Sequence, residues 1–198
     1  MTVLVIGGTG FIGSRVVRRF IDGGREVVCF DNNPNAFRLE DLAGRFKLVQ
    51  GDITHIDDII AAIVDNGADQ VIDMAYVLRA DAPIQETVRI DVMGMNNDFE
   101  AARLTGVKRV LYASSIARHG RQTSYGERVV TEDDPGYHSK LYGWAKQFNE
   151  VVAGLYAKQH GMTMAAVRPA YVWGPARHAA TAASALATWS TTPRWASP

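Results

Sequence analysis

Cysteine and surplus charge are both scarce in this chain. Cys29 is the single cysteine among 198 residues, so no disulfide can form within the chain. A reducing, cytosolic setting is the expectation. Lys plus Arg number 21 and Asp plus Glu number 21, a formal net charge of zero. That argues against nucleic-acid binding through a basic field. No apolar run reaches the roughly 18 residues of a membrane span. Met1 to Ile6 lacks the basic stretch of a signal peptide and runs straight into glycines, so it reads as a buried strand. Five histidines (His55, His119, His138, His160 and His178) show no metal-ligand spacing, and no metal is expected. No repeat of fixed period occurs.

What is present is apolar material in an alternating order. Hydrophobic residues make up 47% of the chain, which is ample for a core and excludes disorder as the main state. Short β-branched runs read as strands over 2–6, 26–30, 46–49, 70–74, 109–113 and 163–167. Amphipathic segments between them read as helices over 11–21, 56–64, 84–104 and 139–160, stopped by glycine or Asn-Gly signals. Strands apolar on both faces, alternating with helices, predict an α/β fold: a doubly wound parallel sheet covered on both sides. Cys29 lies in the apolar run Val27-Val28-Cys29-Phe30 and reads as a buried structural thiol. Residues 118–135 are polar, without periodicity, and read as a mobile loop.

The chain divides at about residue 175. Residues 176–198 form an atypical Ala/Thr/Ser-rich tail with eight alanines, four threonines and three serines. The tail has no Lys, Asp or Glu but carries Trp189 and Trp195.

Gly7-Gly8-Thr9-Gly10-Phe11-Ile12-Gly13 follows the first strand and opens the first helix. Glycines there permit a tight turn and close approach of the backbone to a pyrophosphate. The helix N-terminus adds free N–H groups and a positive dipole end. Asp31 ends the second strand, where an acid binds the adenosine ribose hydroxyls and repels a 2′-phosphate. NAD is therefore expected over NADP, although Arg38 lies seven residues on. The other reading of Asp31 is a loop cap. Asp52, in Gly51-Asp52-Ile53, either meets the adenine amino group or forms an Asx turn.

Tyr142 and Lys146 form Tyr-x-x-x-Lys within a predicted helix, so they share one face. A phenol with a pKa near 10 is a poor base, and lowering it by about three units needs roughly 4 kcal/mol of preference for the phenolate. A lysine ammonium one turn away is a suitable source. Ser114-Ser115 follows the fifth strand, at the sheet edge where ligands bind in such folds. A serine hydroxyl there can hold a substrate oxygen while Tyr142 moves the proton. The bland alternatives are an ST turn and a solvated helix face. Arg118, His119, Arg121 and Arg177 fall after strand ends, as diphosphate ligands or as solvated loop charges.

Taken together these stretches resemble the extended short-chain dehydrogenase/reductases, the NAD-dependent epimerase/dehydratase group. The match runs from about residue 2 to 175 and ends in Arg168-Pro169-Ala170-Tyr171-Val172-Trp173-Gly174-Pro175, similar to the family's Arg-Pro…Val-Tyr-Gly-Pro signature. The resemblance implies a Rossmann-type NAD-binding domain over 1–175. It implies Ser115 as the catalytic serine (Ser114 if the register is one off), Tyr142 as general acid/base and Lys146 as its partner. Cofactor contacts are implied at Gly7, Gly10, Phe11, Ile12, Gly13, Asp31, Asp52 and Ile53, and at Ala75, Tyr142, Lys146 and Pro169. The implied function is hydride transfer at a secondary alcohol or ketone, in the first place of a nucleotide sugar. A simple ketone, aldehyde or hydroxysteroid-type reductase is the alternative, and a non-catalytic NAD-binding module or inactive fragment is another. A homodimer through the helices around 84–104 and 139–160 is also implied.

Several positions depart from the family pattern. Asp73 stands where His is frequent, Tyr76 where Ala is frequent, and Asp91 where Asn is common. His119 replaces a Tyr. Ile116 and Ala117 follow Ser115 where dehydratases carry an acidic pair, which disfavours dehydration. The family continues into a second lobe that closes over the substrate. The substrate lobe is therefore expected to be truncated or missing here, with a genuine minimal form whose tail acts as a short lid as the other reading.

Overall fold

A computed structural model describes residues 1–77 and 82–174. The tail, Arg177 and Pro175 lie outside the described residues. Six parallel strands form one sheet: β1 (Thr2–Ile6), β2 (Glu26–Asp31), β3 (Lys47–Gln50), β4 (Ala68–Asp73), β5 (Arg109–Ala113) and β6 (Thr163–Val167). Their order is β3-β2-β1-β4-β5-β6, the doubly wound arrangement that the alternation predicts. The strand order reverses between β1 and β4, and the carboxyl ends of those two strands open the crevice where such folds bind ligands.

Successive residues of β1 explain why its sequence is uniformly apolar. Leu4 and Ile6 enter the core on one face, with Val28, Phe30, Val71 and Phe99. Val3 and Val5 enter the core on the other, with Val17, Ile21, Cys29 and Leu39. A strand buried on both faces cannot alternate polar with apolar. Cys29 is fully buried, as expected, and burial pushes its thiol up to about 12, with the charge of Asp31 adding to the effect.

The covering helices are α1 (Phe11–Asp22), α2 (Ile56–Val64), α3 (Ile84–Thr87), α4 (Met95–Leu104) and α5 (Leu141–His160). The predicted single helix over 84–104 is interrupted: Val88–Gly94 is π-helical. The wider turn leaves carbonyls without their usual intrahelical donors. Asn149 Nδ2 donates to the Asp91 carbonyl at 2.7 Å, and Asn96 Nδ2 to that of Val92 at 2.7 Å.

The loop over 118–135 is held by side-chain hydrogen bonds to its own backbone and by an ion pair. It contains a short 3₁₀ turn at Gln122–Ser124. Arg118 donates to the Asp134 carbonyl at 2.8 Å, and the Tyr125 hydroxyl to that of His119 at 2.7 Å. Arg128 grips Asp134 with two bonds of 2.8 and 2.6 Å. Among the described residues no helix is long and apolar enough to cross a membrane.

Candidate active site

The glycine loop joins the ends of three strands. Gly7 donates to the Phe30 carbonyl at 2.9 Å, and Met74 to that of Ile6 at 2.9 Å. Gly7 has φ +71°, and a Cβ there would stand 2.7 Å from the Ala75 nitrogen. At Gly13 an added Cβ would lie 2.0 Å from the Gly7 carbonyl oxygen. Glycine is thus a steric requirement at both positions. Helix α1 starts at this loop with no side-chain cap.

A cavity of about 220 Å³ opens above the loop, lined among others by Gly7, Gly10, Asp31, Asp52, Ile53 and Ala75. Six expected cofactor residues therefore share one wall. Phe11, Ile12, Gly13, Tyr142, Lys146 and Pro169 are not in that wall. Gly13 is where helix and loop meet, Phe11 lies close to Gly174, and the Pro169 carbonyl accepts from Ile116 N–H at 3.2 Å. The Asp31 carboxylate accepts from the N–H groups of Thr9 (3.0 Å) and Asn33 (3.1 Å), so it ties the glycine loop to β2. Arg38 donates to the Thr9 carbonyl at 3.3 Å. Asp52 forms the Asx turn, accepting from Thr54 N–H at 2.8 Å. The loop, the uncapped helix start and the acid at the cavity edge fit the pyrophosphate and ribose of a dinucleotide.

A second cavity of about 710 Å³ adjoins, with Val77 in both walls. Ser115 and Tyr142 line it, and Ser114 is not in its wall. Ser114 is turned away and hydrogen-bonds Glu150. Ser115 caps the 3₁₀ turn Ile116–Arg118, its hydroxyl accepting from Ala117 N–H at 3.1 Å. Burial holds the Tyr142 phenol above its ordinary pKa, Ser115 lowers it through a hydrogen bond, and the charge of Asp91 raises it.

Lys146 is 1% exposed and hydrogen-bonds the Ala113 carbonyl. Burial brings its pKa down to about 8, opposed by the charges of Asp73, Asp91 and Glu150. Its ammonium lies 3.5 Å from the centroid of the Tyr76 ring and 5.8 Å from that of Tyr142. Tyr76 also lines the cofactor cavity and meets Tyr142 edge-on, with ring centroids 4.9 Å apart. Tyr76 is thus a site residue that sequence reasoning noted only as a departure. The adjacent carboxyl of Asp91 accepts from Val77 N–H at 2.8 Å, and burial raises its pKa to about 6.

Glu150 organises the strand ends behind the serines. Arg168 donates to both of its carboxylate oxygens at 2.8 Å, and Arg118 forms an ion pair at 3.2 Å. Burial works against the charged form, but the hydrogen bonds from Arg168 and Ser114 hold Glu150 below the usual carboxylate range. This corrects one expectation: Arg118 is committed to Glu150 and is not a free diphosphate ligand. Arg121 lines the larger cavity, with Lys140 and His138. Among the described residues no group of three or more His, Cys, Asp or Glu is placed to hold a metal.

The profile of the NAD dependent epimerase/dehydratase family matches residues 3–192. The chain is 30% identical over 181 residues to a 3 beta-hydroxysteroid dehydrogenase/Delta 5-->4-isomerase of Mycobacterium tuberculosis, covering 87% of this chain and 47% of that protein. It is 30% identical over 186 residues to a UDP-glucose 4-epimerase of Mycolicibacterium smegmatis, covering 88% of this chain and 57% of that one. The crystal structure of a Thermus thermophilus UDP-glucose 4-epimerase complex with NAD superposes with a TM-score of 0.74 at 25% identity, covering 85% of this chain and 54% of that one. The chain spans about half the length of the curated relatives it matches.

Proposed function

Because the chain belongs to the NAD-dependent epimerase/dehydratase family, we propose that it binds NAD in the crevice above the glycine loop and serves hydride transfer at a secondary alcohol or ketone. The carrying observation is that Ser115 and Tyr142 converge on one cavity that adjoins the glycine-loop cavity. Gly7, Gly10, Asp31, Asp52, Ile53 and Ala75 hold the dinucleotide. When bound, NAD supplies the hydride acceptor. Ser115 donates a hydrogen bond to the substrate oxygen and fixes it against the phenol. Tyr142 takes the hydroxyl proton in oxidation and returns it in reduction. Lys146 favours the phenolate by its charge.

The substrate reading is a nucleotide sugar. Arg121 and Lys140 in the cavity wall are placed to meet a diphosphate, and the UDP-glucose 4-epimerase relatives support this. A second reading, a hydroxysteroid-type alcohol, is favoured by Val77, Ile84, Ile116, Leu141 and Ala170 in the same wall, and by the hydroxysteroid dehydrogenase relative. Trp144, Phe148, Val151 and Leu155 form an exposed apolar stripe on α5 that supports a helix-paired homodimer. Phe99, on the other of those two helices, lies in the core.

The test is the appearance of reduced nucleotide when the chain meets NAD with UDP-glucose or, separately, with a 3β-hydroxysteroid. Reduction with either substrate that Tyr142→Phe abolishes, with NAD affinity kept, supports the reading. Reduction that survives Tyr142→Phe overturns the role of Tyr142. NAD binding with neither reduced nucleotide nor an epimerised sugar in either arm leaves the non-catalytic module as the better account.

A further inference from the structure

Two buried carboxyls lie directly behind this site and have no part in the reaction as described. Asp73 ends β4, and Asp98 projects from the first turn of α4, which packs on that strand. Both are completely inaccessible to solvent. Asp73 Oδ1 accepts from Ala75 N–H at 2.8 Å. Asp73 Oδ2 and both oxygens of Asp98 have no hydrogen-bond donor among the described residues. Three orphan carboxylate oxygens in a dry interior would be among the costliest arrangements a fold could hold.

One proton settles two of the three, Asp73 Oδ2 and the Asp98 oxygen that carries it. The two carboxyls are in hydrogen-bonding range of each other. Two like charges that close cannot both be ionised. A single proton placed on Asp98 gives Asp73 Oδ2 a donor and leaves one negative charge on the pair. That charge is felt by Lys146, whose other anionic neighbours are Asp91 and Glu150. Asp91 in turn feels Asp73 as a like charge and Lys146 as an opposite one. Tyr76 and Tyr142, the remaining titratable groups at the ammonium, lie at the ring distances given above.

We propose that Asp98 is a neutral carboxylic acid donating its proton to Asp73, and that the single charge left on the pair is a buried counter-charge that keeps the Lys146 ammonium in place. Both are positioning residues. Asp73 acts at two points: through Ala75 N–H it fixes the β4 end against Gly7, and through its charge it acts on Lys146. Burial, the main cause, pushes both carboxyls up, Asp98 far the more, which agrees with the assignment of the proton to Asp98. Only the consequence for Tyr142, whose phenolate the held ammonium would favour, rests on the proposed reaction. The protonation of Asp98 does not.

The test is carbon-13 NMR of the whole chain labelled at the aspartate carboxyls and the lysine side chains, titrated with pH. One aspartate carboxyl is expected to keep the shift of a protonated acid at neutral pH and to vanish in Asp98→Asn. Asp73→Asn is expected to lower the Lys146 midpoint by about one pH unit, whereas Asp98→Asn, which keeps a donor toward Asp73, leaves it in place. Asp98→Ala is expected to lower the thermal midpoint by about 5 °C and Asp98→Asn to restore it. Full ionisation of every aspartate at neutral pH, as buried water at Asp98 would allow, overturns the proposal. So does a Lys146 midpoint that ignores Asp73→Asn. No substrate or nucleotide is needed, so an inactive chain with a protonated Asp98 defeats the reaction and not the pair, and an active chain with an ionised Asp98 does the reverse.

Discussion

The Lys146 ammonium lies against the face of the Tyr76 ring, 3.5 Å from its centroid. The ring that lines the cofactor cavity is therefore the one that covers the lysine. A cation held on an aromatic face gains about 0.5–2 kcal/mol, the more when desolvated. Removal of the ring opens Lys146 to the cavity. Tyr76→Ala is expected to raise NAD affinity several-fold and to bring the Lys146 pKa up from about 8 toward its ordinary value. Tyr76→Phe keeps the face and is expected to change neither. Calorimetry checks the first expectation. A Tyr76→Ala variant that binds NAD more weakly would make the ring a cofactor contact and not a cover.

Gly13→Ala places a methyl carbon 2.0 Å from the Gly7 carbonyl oxygen. The clash is with backbone, so loop and helix must separate. NAD affinity is expected to fall by more than tenfold, roughly the 1.4 kcal/mol or more that a displaced loop costs. Gly24→Ala is the control: Gly24 has positive φ but nothing within 4 Å of an added Cβ. It is expected to cost about 1 kcal/mol of stability and no affinity. Equal losses of affinity in both variants would contradict the geometry.

Glu150 joins Arg168, Arg118 and Ser114 behind the strand ends. Glu150→Ala leaves two guanidinium groups facing each other, partly buried, at a cost of about 3 kcal/mol. The folded pKa of Glu150 is depressed, so its stabilisation is present above the ordinary value of 4.5 and is lost as pH falls through the folded value. Chemical denaturation across that range checks it: the gap between wild type and variant should narrow toward acid. A gap that widens there would be inconsistent with a charged Glu150.

Cys29 behaves in the opposite sense. Its folded pKa is raised from 9.0 to about 12, so its contribution is present below 9 and fades as pH rises toward 12. The stability difference between wild type and Cys29→Ala is expected to shrink by about 2 kcal/mol between about pH 9 and 10.5. A constant difference would place the thiol in contact with water.

The strands and the glycine loop were legible because burial on both faces writes a continuous apolar run, and because a backbone-to-backbone approach admits only glycine. That Asp31, Asp52, Tyr142 and one of the two serines line the cavities was legible from their place after strands and on one helix face. The π turn at Val88–Gly94 was not. Its signal is a single inward Asp91 with Asn96 and the distant Asn149, and no local period marks a carbonyl that waits for a donor from another helix. The choice between Ser114 and Ser115 rested on Glu150, thirty-six residues from Ser114. The Asp73–Asp98 contact and the Tyr76–Lys146 stacking are likewise tertiary, set by how α4 and α5 lie on the sheet.

The central claim is tested most directly by calorimetric titration of the 198-residue chain with NAD and, in parallel, with NADP. The account predicts one NAD site per chain with affinity in the micromolar range. NADP is expected to bind more weakly, and Asp31→Asn to narrow that preference. Absence of heat with either nucleotide, or equal binding of both that Asp31→Asn leaves unchanged, would contradict it.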